Sequence, residues 1–400
     1  MKFDPSGRIQ DFQVFGEFGE VNPSITDSST YTFLDAETMQ ARFGQEIEGC
    51  FLYSRHWSPS NRNLASALAA MEDTEDAHVT ASGMGAITAT LLQLCSQGDE
   101  IVASRTIYGG TWAFLRNFLP RFGVGVRFVD CADADTVRAA VTPRTRVIYC
   151  ESMSNPLLSI PDIPALADIA RTAGAALVVD NTFTPMILSP KRLGADVVVH
   201  SLTKFVNGMS DCVAGAVCAS HEFINRLSDV NSGTIMLLGP TLDSLRAASL
   251  YKNLHTLHIR MQKHGANALF IAERLAEHGL QVRYPGLPSH PQHTRLKAMM
   301  NEGYGFGGML ALDVGDERTA NRLLKRLQEE KVGLLAVSLG YFRTLFSPSG
   351  NSTSSEIPKD EQQAMGLSAG LVRFSIGLDH DIARTWARFE PCLKEVGLIR

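Results

Sequence analysis

The sequence predicts an α/β protein: a mainly parallel β-sheet with helices on both faces, followed by a smaller C-terminal α+β unit. Between about residues 64 and 230, short apolar runs alternate with segments of helical periodicity. Several of those runs, "ALVVDN" and "DVVVHS" among them, are too apolar for a sheet with one solvated face. Parallel strands buried on both sides read this way. Beyond residue 240 a long helical pattern leads into two further strand-like runs, which form the second unit.

Residues 1 to 62 mix turn residues with aromatics, as in "VNPSITDSSTYTF" and "YSRHWSPSNRN", and read as an extended N-terminal arm. Residues 63 to 250 form the main domain. Its strands are "HVTAS", "IVASR", "VRFVD", "RVIYCES", "ALVVDN" and "DVVVHS", with helical spacing in 85–97 and 162–173 between them. Over 240–278, Leu242, Leu245, Leu254, Leu257, Met261, Leu269 and Leu275 predict one long helix bridging into the C-terminal domain, 251 to 400. "GGMLALDV" and "LVRFSIGL" are strands there, and "FSPSGNSTSSE" (346–356) is a loop by composition.

Composition narrows the function. At 400 residues and 44% hydrophobic, the chain can bury a large core, and a net charge of −5 offers no electrostatic footprint for nucleic acid. No uninterrupted apolar run approaches the ~20 residues of a membrane span. The N-terminus lacks the apolar region of a secretory signal. Seven cysteines are scattered, and the closest pair, Cys212 and Cys218, lacks zinc-ligand spacing. Reduced thiols in a cytoplasm, with no metal site, are expected.

In an open parallel sheet, ligands bind outside the carboxyl ends of the strands. Gly83, Tyr108, Asp180 and Lys204 each follow a strand and should gather on one edge. In "TASGMGAIT", Gly83-Met84-Gly85 stands between strand and helix, where free N–H groups suit a phosphate; a plain tight turn fits as well. Asp180 closes an apolar run, where a buried carboxylate needs a cation. A pyridinium nitrogen, a helix cap or a structural ion pair would each serve. In "VVHSLTKFVNG", Ser201 and Thr203 point the same way in extended chain, so two hydroxyls stand together. Lys204 beside them is almost never buried without a task. Alone it could be a snorkelling surface residue. Its pKa lowered by burial, it forms a Schiff base with an aldehyde. Phosphate, pyridinium and aldehyde together describe pyridoxal 5'-phosphate.

These motifs, with "YSRHWSPSN", "YPGLPSHPQH", "YGFGGML" and "VSLGYF", resemble the pyridoxal-phosphate enzymes of cysteine and methionine metabolism, from about residue 14 to the C-terminus. The resemblance is closest to the plant-type methionine γ-lyase branch. It implies the fold-type-I transferase architecture with a seven-stranded sheet, and an assembly of dimers, most simply a tetramer. It also implies roles. Lys204 is the Schiff-base lysine and Asp180 the partner of the pyridine nitrogen. Gly83, Met84, Ser201 and Thr203 form the phosphate cup, and Asn155 in "SNP" faces the phenolic oxygen. Tyr108 in "IYGGT" stacks on the ring and moves protons. Tyr53 and Arg55 in "YSR" serve a neighbouring subunit's phosphate. Arg373 in "LVRFSIG" grips the substrate α-carboxylate, with Ser338 nearby. Taken alone, Tyr108 also fits an amphipathic core tyrosine and Arg373 a surface ion pair.

The chain leaves the family pattern at two places. Gly110 stands where bacterial methionine γ-lyases commonly carry Cys. Arg343 stands where most members have a Glu facing the distal ammonium of cystathionine; a cation there repels that ammonium, so Arg343 is expected either to bind the substrate by facing a neutral or anionic distal group or to point to solvent. The implied activity is γ-elimination on L-methionine, giving methanethiol, 2-oxobutanoate and ammonia. The rivals are γ-replacement on an activated homoserine, γ-elimination on another γ-substituted amino acid, and a cofactor-binding protein without turnover.

Overall fold

The computed structural model describes residues 2–16, 18–43, 50–349 and 357–400. Seven strands form the main sheet: β1 (Asp76–Thr80), β2 (Glu100–Ser104), β3 (Gly125–Val129), β4 (Thr145–Glu151), β5 (Ala176–Asp180), β6 (Val197–Ser201) and β7 (Gly215–Ala219). Their spatial order is β1-β7-β6-β5-β4-β2-β3. β7 runs antiparallel to both β1 and β6, and the remaining pairings are parallel. The central strands are buried at nearly every position, so a continuous apolar run, not an alternating one, is what their place in the sheet demands.

The helices between strands start and stop where local chemistry sets them. Ser82 accepts from the Gly85 N–H and caps the helix Gly83–Leu94. Asp162 does the same for Ile163–Ala173, which ends on Gly174 in the left-handed region.

A second sheet contains β8 (Gln281–Arg283), β9 (Met309–Asp313), β10 (Leu334–Leu335), β11 (Leu345–Pro348) and β12 (Leu371–Ser375), in the order β10-β11-β12-β9-β8. Its own core includes Leu323, Leu327, Phe346, Phe374 and Phe389.

Three expectations change. The stretch expected as an extended arm includes helices at Pro5–Asp11 and Ala36–Phe43, the first packed on the helix Pro59–Glu72 with Ile9 buried. The long helix expected over 240–278 is two, Ser244–Leu254 and Leu257–Glu277. It breaks because the Asn253 carbonyl accepts from Thr256 N–H (3.2 Å) and from Arg260 Nη2 (2.8 Å). Residues 346–348, expected in a loop, complete β11; Pro348 is tolerated because β10 pairs only with Leu345 and Phe346. The rest of that loop, from 350 to 356, lies outside the described residues. Among the described residues, no helix is long and apolar enough to cross a membrane.

Candidate active site

The carboxyl ends of β1, β4, β5 and β6 open onto a cavity of about 260 Å³. Gly83, Met84, Tyr108, Asn155, Asp180, Ser201, Thr203, Lys204 and Arg373 all line it. Residues up to 290 positions apart in the chain thus meet on one edge, as the switch-point rule requires.

One end is built for an anion. The helix Gly83–Leu94 leaves its first N–H groups without helical partners. A Cβ at Gly83 would sit 2.7 Å from Ser201 Cβ, so only glycine lets this helix start approach β6 so closely. Thr203 Oγ1 accepts from Ala214 N–H (3.0 Å), which holds it in place.

The floor is acidic. Asp180 Oδ1 accepts from Thr182 N–H (2.9 Å), and Tyr149 Oη donates to Oδ2 (3.4 Å). Burial pushes the Asp180 carboxyl up from its ordinary range, against the pull of its hydrogen bonds. Glu151, its register partner on β4, is pushed up to about 8, first by burial and then by Asp180. Both oxygens of Glu151 are engaged: Tyr108 N–H donates to Oε1 (2.7 Å) and Asn155 N–H to Oε2 (2.9 Å). The Tyr108 ring, 43% exposed, lies so near Gly110 that a Cβ there would come within 2.5 Å of its Cε1.

The cationic wall is Lys204 and Arg373. Lys204 Nζ donates to Ser338 Oγ (3.1 Å). Burial first, then the Arg373 charge, brings its amine down to about 8. Arg373 is only 2% exposed, yet among the described residues no carboxylate is paired with it. It donates to Asn155 Oδ1 (3.1 Å) and to the carbonyls of Val337 and Ser338 (3.2 Å each). A buried guanidinium held by neutral acceptors keeps its charge for an incoming carboxylate.

Two supports were not found from sequence. Arg260 is buried and donates to the carbonyls of Phe205 and Val206, clamping the turn that carries Lys204. Gly340, at φ +75°, would bring a Cβ within 2.5 Å of Phe205 N, so glycine is needed where the 337–343 segment crosses that turn.

Three expected residues stand elsewhere. Arg343 lines a separate crevice with Gln328, Lys331, Phe342, Asp379 and His380. The Arg55 guanidinium lies 5.7 Å from the Tyr53 ring centre and donates to Met236 O (3.3 Å); neither side chain lines its own chain's cavity.

Pyridoxal 5'-phosphate fits these residues: an anion end closed to any Cβ at Gly83, a carboxylate floor at Asp180, and a depressed amine at Lys204. The comparisons agree. A family model described as Cys/Met metabolism PLP-dependent enzyme matches residues 9–383. Methionine gamma-lyase of Arabidopsis thaliana is 45% identical over 97% of this chain and 89% of its own. L-methionine gamma-lyase of Pseudomonas putida is 40% identical over 94% of this chain and 93% of its own. A solved Campylobacter jejuni structure, provisionally described as an O-acetylhomoserine (thiol)-lyase, holds N'-pyridoxyl-lysine-5'-monophosphate. It superposes at TM-score 0.90 with 28% identity, over 98% of this chain and 100% of its own.

Proposed function

The chain belongs to the Cys/Met metabolism PLP-dependent enzyme family, and on that premise we propose that it cleaves the Cγ–S bond of L-methionine. Methionine and water give methanethiol, 2-oxobutanoate and ammonia. The observation that carries the choice of substrate is the cavity lining. Beside its charged and polar groups it presents Ile87, Met153, Phe183, Val213, Val337 and Leu339, which suit an uncharged thioether.

Bound here, pyridoxal 5'-phosphate supplies an electron sink beside the substrate α-carbon. The residues supply the rest. Gly83, Met84, Ser201 and Thr203 take the phosphate, and Asp180 meets the ring nitrogen. Asn155 faces the phenolic oxygen. Arg373 takes the α-carboxylate and fixes which substrate hydrogen faces Lys204. Lys204 Nζ, steadied by Ser338, moves protons at Cα and Cβ. Tyr108 Oη gives a proton to the leaving sulfur.

The test is a panel of methionine, cystathionine and acylated homoserines, scored for 2-oxobutanoate, ammonia and thiol with and without added thiol. Methionine should give all three products at the highest kcat/KM. New thioether in place of 2-oxobutanoate would instead support γ-replacement. If the panel gave no turnover with cofactor bound, a binding protein would remain.

We further propose that the enzyme works as an oligomer in which Tyr53 and Arg55 reach the neighbouring subunit's phosphate. Their placement away from their own cavity supports this. Light scattering should give a dimer or tetramer; a monomer with full activity would rule out a shared site.

A further inference from the structure

Glu151 was not singled out by sequence, and the proposed reaction gives it no proton to carry. It is nonetheless 6% exposed, lines the cavity, and places each carboxylate oxygen on a different segment. Oε1 holds the Tyr108 N–H, at the turn after β2. Oε2 holds the Asn155 N–H, at the turn after β4. From Asn155 the contacts continue: its Oδ1 accepts from Arg373 Nη1, Arg373 Nη2 donates to Ser338 O, and Ser338 Oγ accepts from Lys204 Nζ. A single buried carboxylate thus stands at the root of a hydrogen-bonded path through four segments of the site.

We propose that Glu151 is a positioning residue: it fixes the Tyr108 and Asn155 backbones against each other and, through Asn155, sets the aim of Arg373. A carboxyl group suits this because both its oxygens have acceptor capacity, ionised or protonated, whereas an amide accepts on one only. The roles of Tyr108 and Arg373 rest on the reaction proposed above; the two N–H contacts do not.

The test is hydrogen exchange on the full chain loaded with pyridoxal 5'-phosphate and free of substrate, so that failure of the proposed reaction does not touch it. In Glu151→Gln one of the two amides, Tyr108 or Asn155, should exchange about 10-fold faster or more, and in Glu151→Ala both should. The amides of Ser152 and Asn181, bonded to Asp180 O and Val199 O on the same sheet edge, should hold their rates. In kinetics, Glu151→Gln should lower kcat/KM about 10-fold or more, and by markedly less in a Tyr108→Phe background, since the two act on one element. Unchanged exchange at both amides would overturn the proposal. So would equal acceleration at Ser152 and Asn181, which marks general loosening, or fully additive kinetics in the double variant.

Discussion

Lys204→Ala is expected to cut kcat by about 10⁴-fold or more, the scale on which loss of a residue that is both nucleophile and proton carrier is felt. Its Nζ contacts Ser338 Oγ inside the cavity, and its amine is brought down to about 8 by burial and by Arg373. Truncation removes a desolvated cation from beside Arg373, so the fold should survive. The parent protein should keep its cofactor through desalting and the variant should lose it, because only the phosphate and ring contacts remain. The pH dependence follows from the same environment. An amine is nucleophilic when uncharged, so cofactor capture by the unloaded parent should rise about tenfold per pH unit below about 8 and level off above it. A flat capture rate over roughly pH 6 to 10, or a variant with more than about 1% of parental kcat, would take Lys204 out of the chemistry.

The site was legible where chemistry coincides with a strand end. Asp180 closes β5 and Lys204 stands three residues past β6, each following a run of buried apolar residues where a charge is costly without a partner. Glu151 obeys the same logic, closing "TRVIYCE" one strand away, in register with Asp180. It could have been found by the argument used for Asp180, but no surrounding motif marks it. Arg260 and Gly340 were invisible for another reason. Each acts on the Lys204 turn from far along the chain, 55 residues away for the Arg260–Phe205 contact, and nothing local predicts that meeting.

The fold divides similarly. The six parallel-looking strands were written in Val, Ile and Leu. β7, "GAVCA", has the small residues that the close approach to β1 and Ser82 requires: a Cβ at Gly215 would fall 2.2 Å from Ser82 O. Its composition therefore carries little strand signal. β10 is two exposed leucines, too short for any periodicity. The break at Asn253 needed knowledge of Arg260's reach, because the apolar spacing runs on through it.

Asp180→Asn is expected to weaken cofactor binding about 10²-fold and to lower kcat by about 10³-fold. Asparagine keeps the shape and can still accept the Thr182 N–H that Oδ1 now takes at 2.9 Å. What it loses is the charge. Burial raises the Asp180 pKa, so the ionised form needs a cation to hold it. In the proposed reading a protonated ring nitrogen of the cofactor would be that cation, and the pair would be stabilising only while both charges are present. Neutralising Asp180 leaves the ring with no reason to keep its proton, and the electron sink weakens with it. The size follows from the bond type: a hydrogen bond to a charged group contributes up to about 3 kcal/mol, which is 10²-fold in affinity. The larger factor in kcat reflects charge that develops during reaction and not before it. A merely structural carboxylate would behave in the opposite way, lowering the melting temperature while the loaded enzyme kept its kcat. Steady-state kinetics at saturating cofactor, beside a melting curve of the unloaded protein, separates the two. An Asp180→Asn enzyme within about threefold of the parent in kcat would move the ring nitrogen away from this floor.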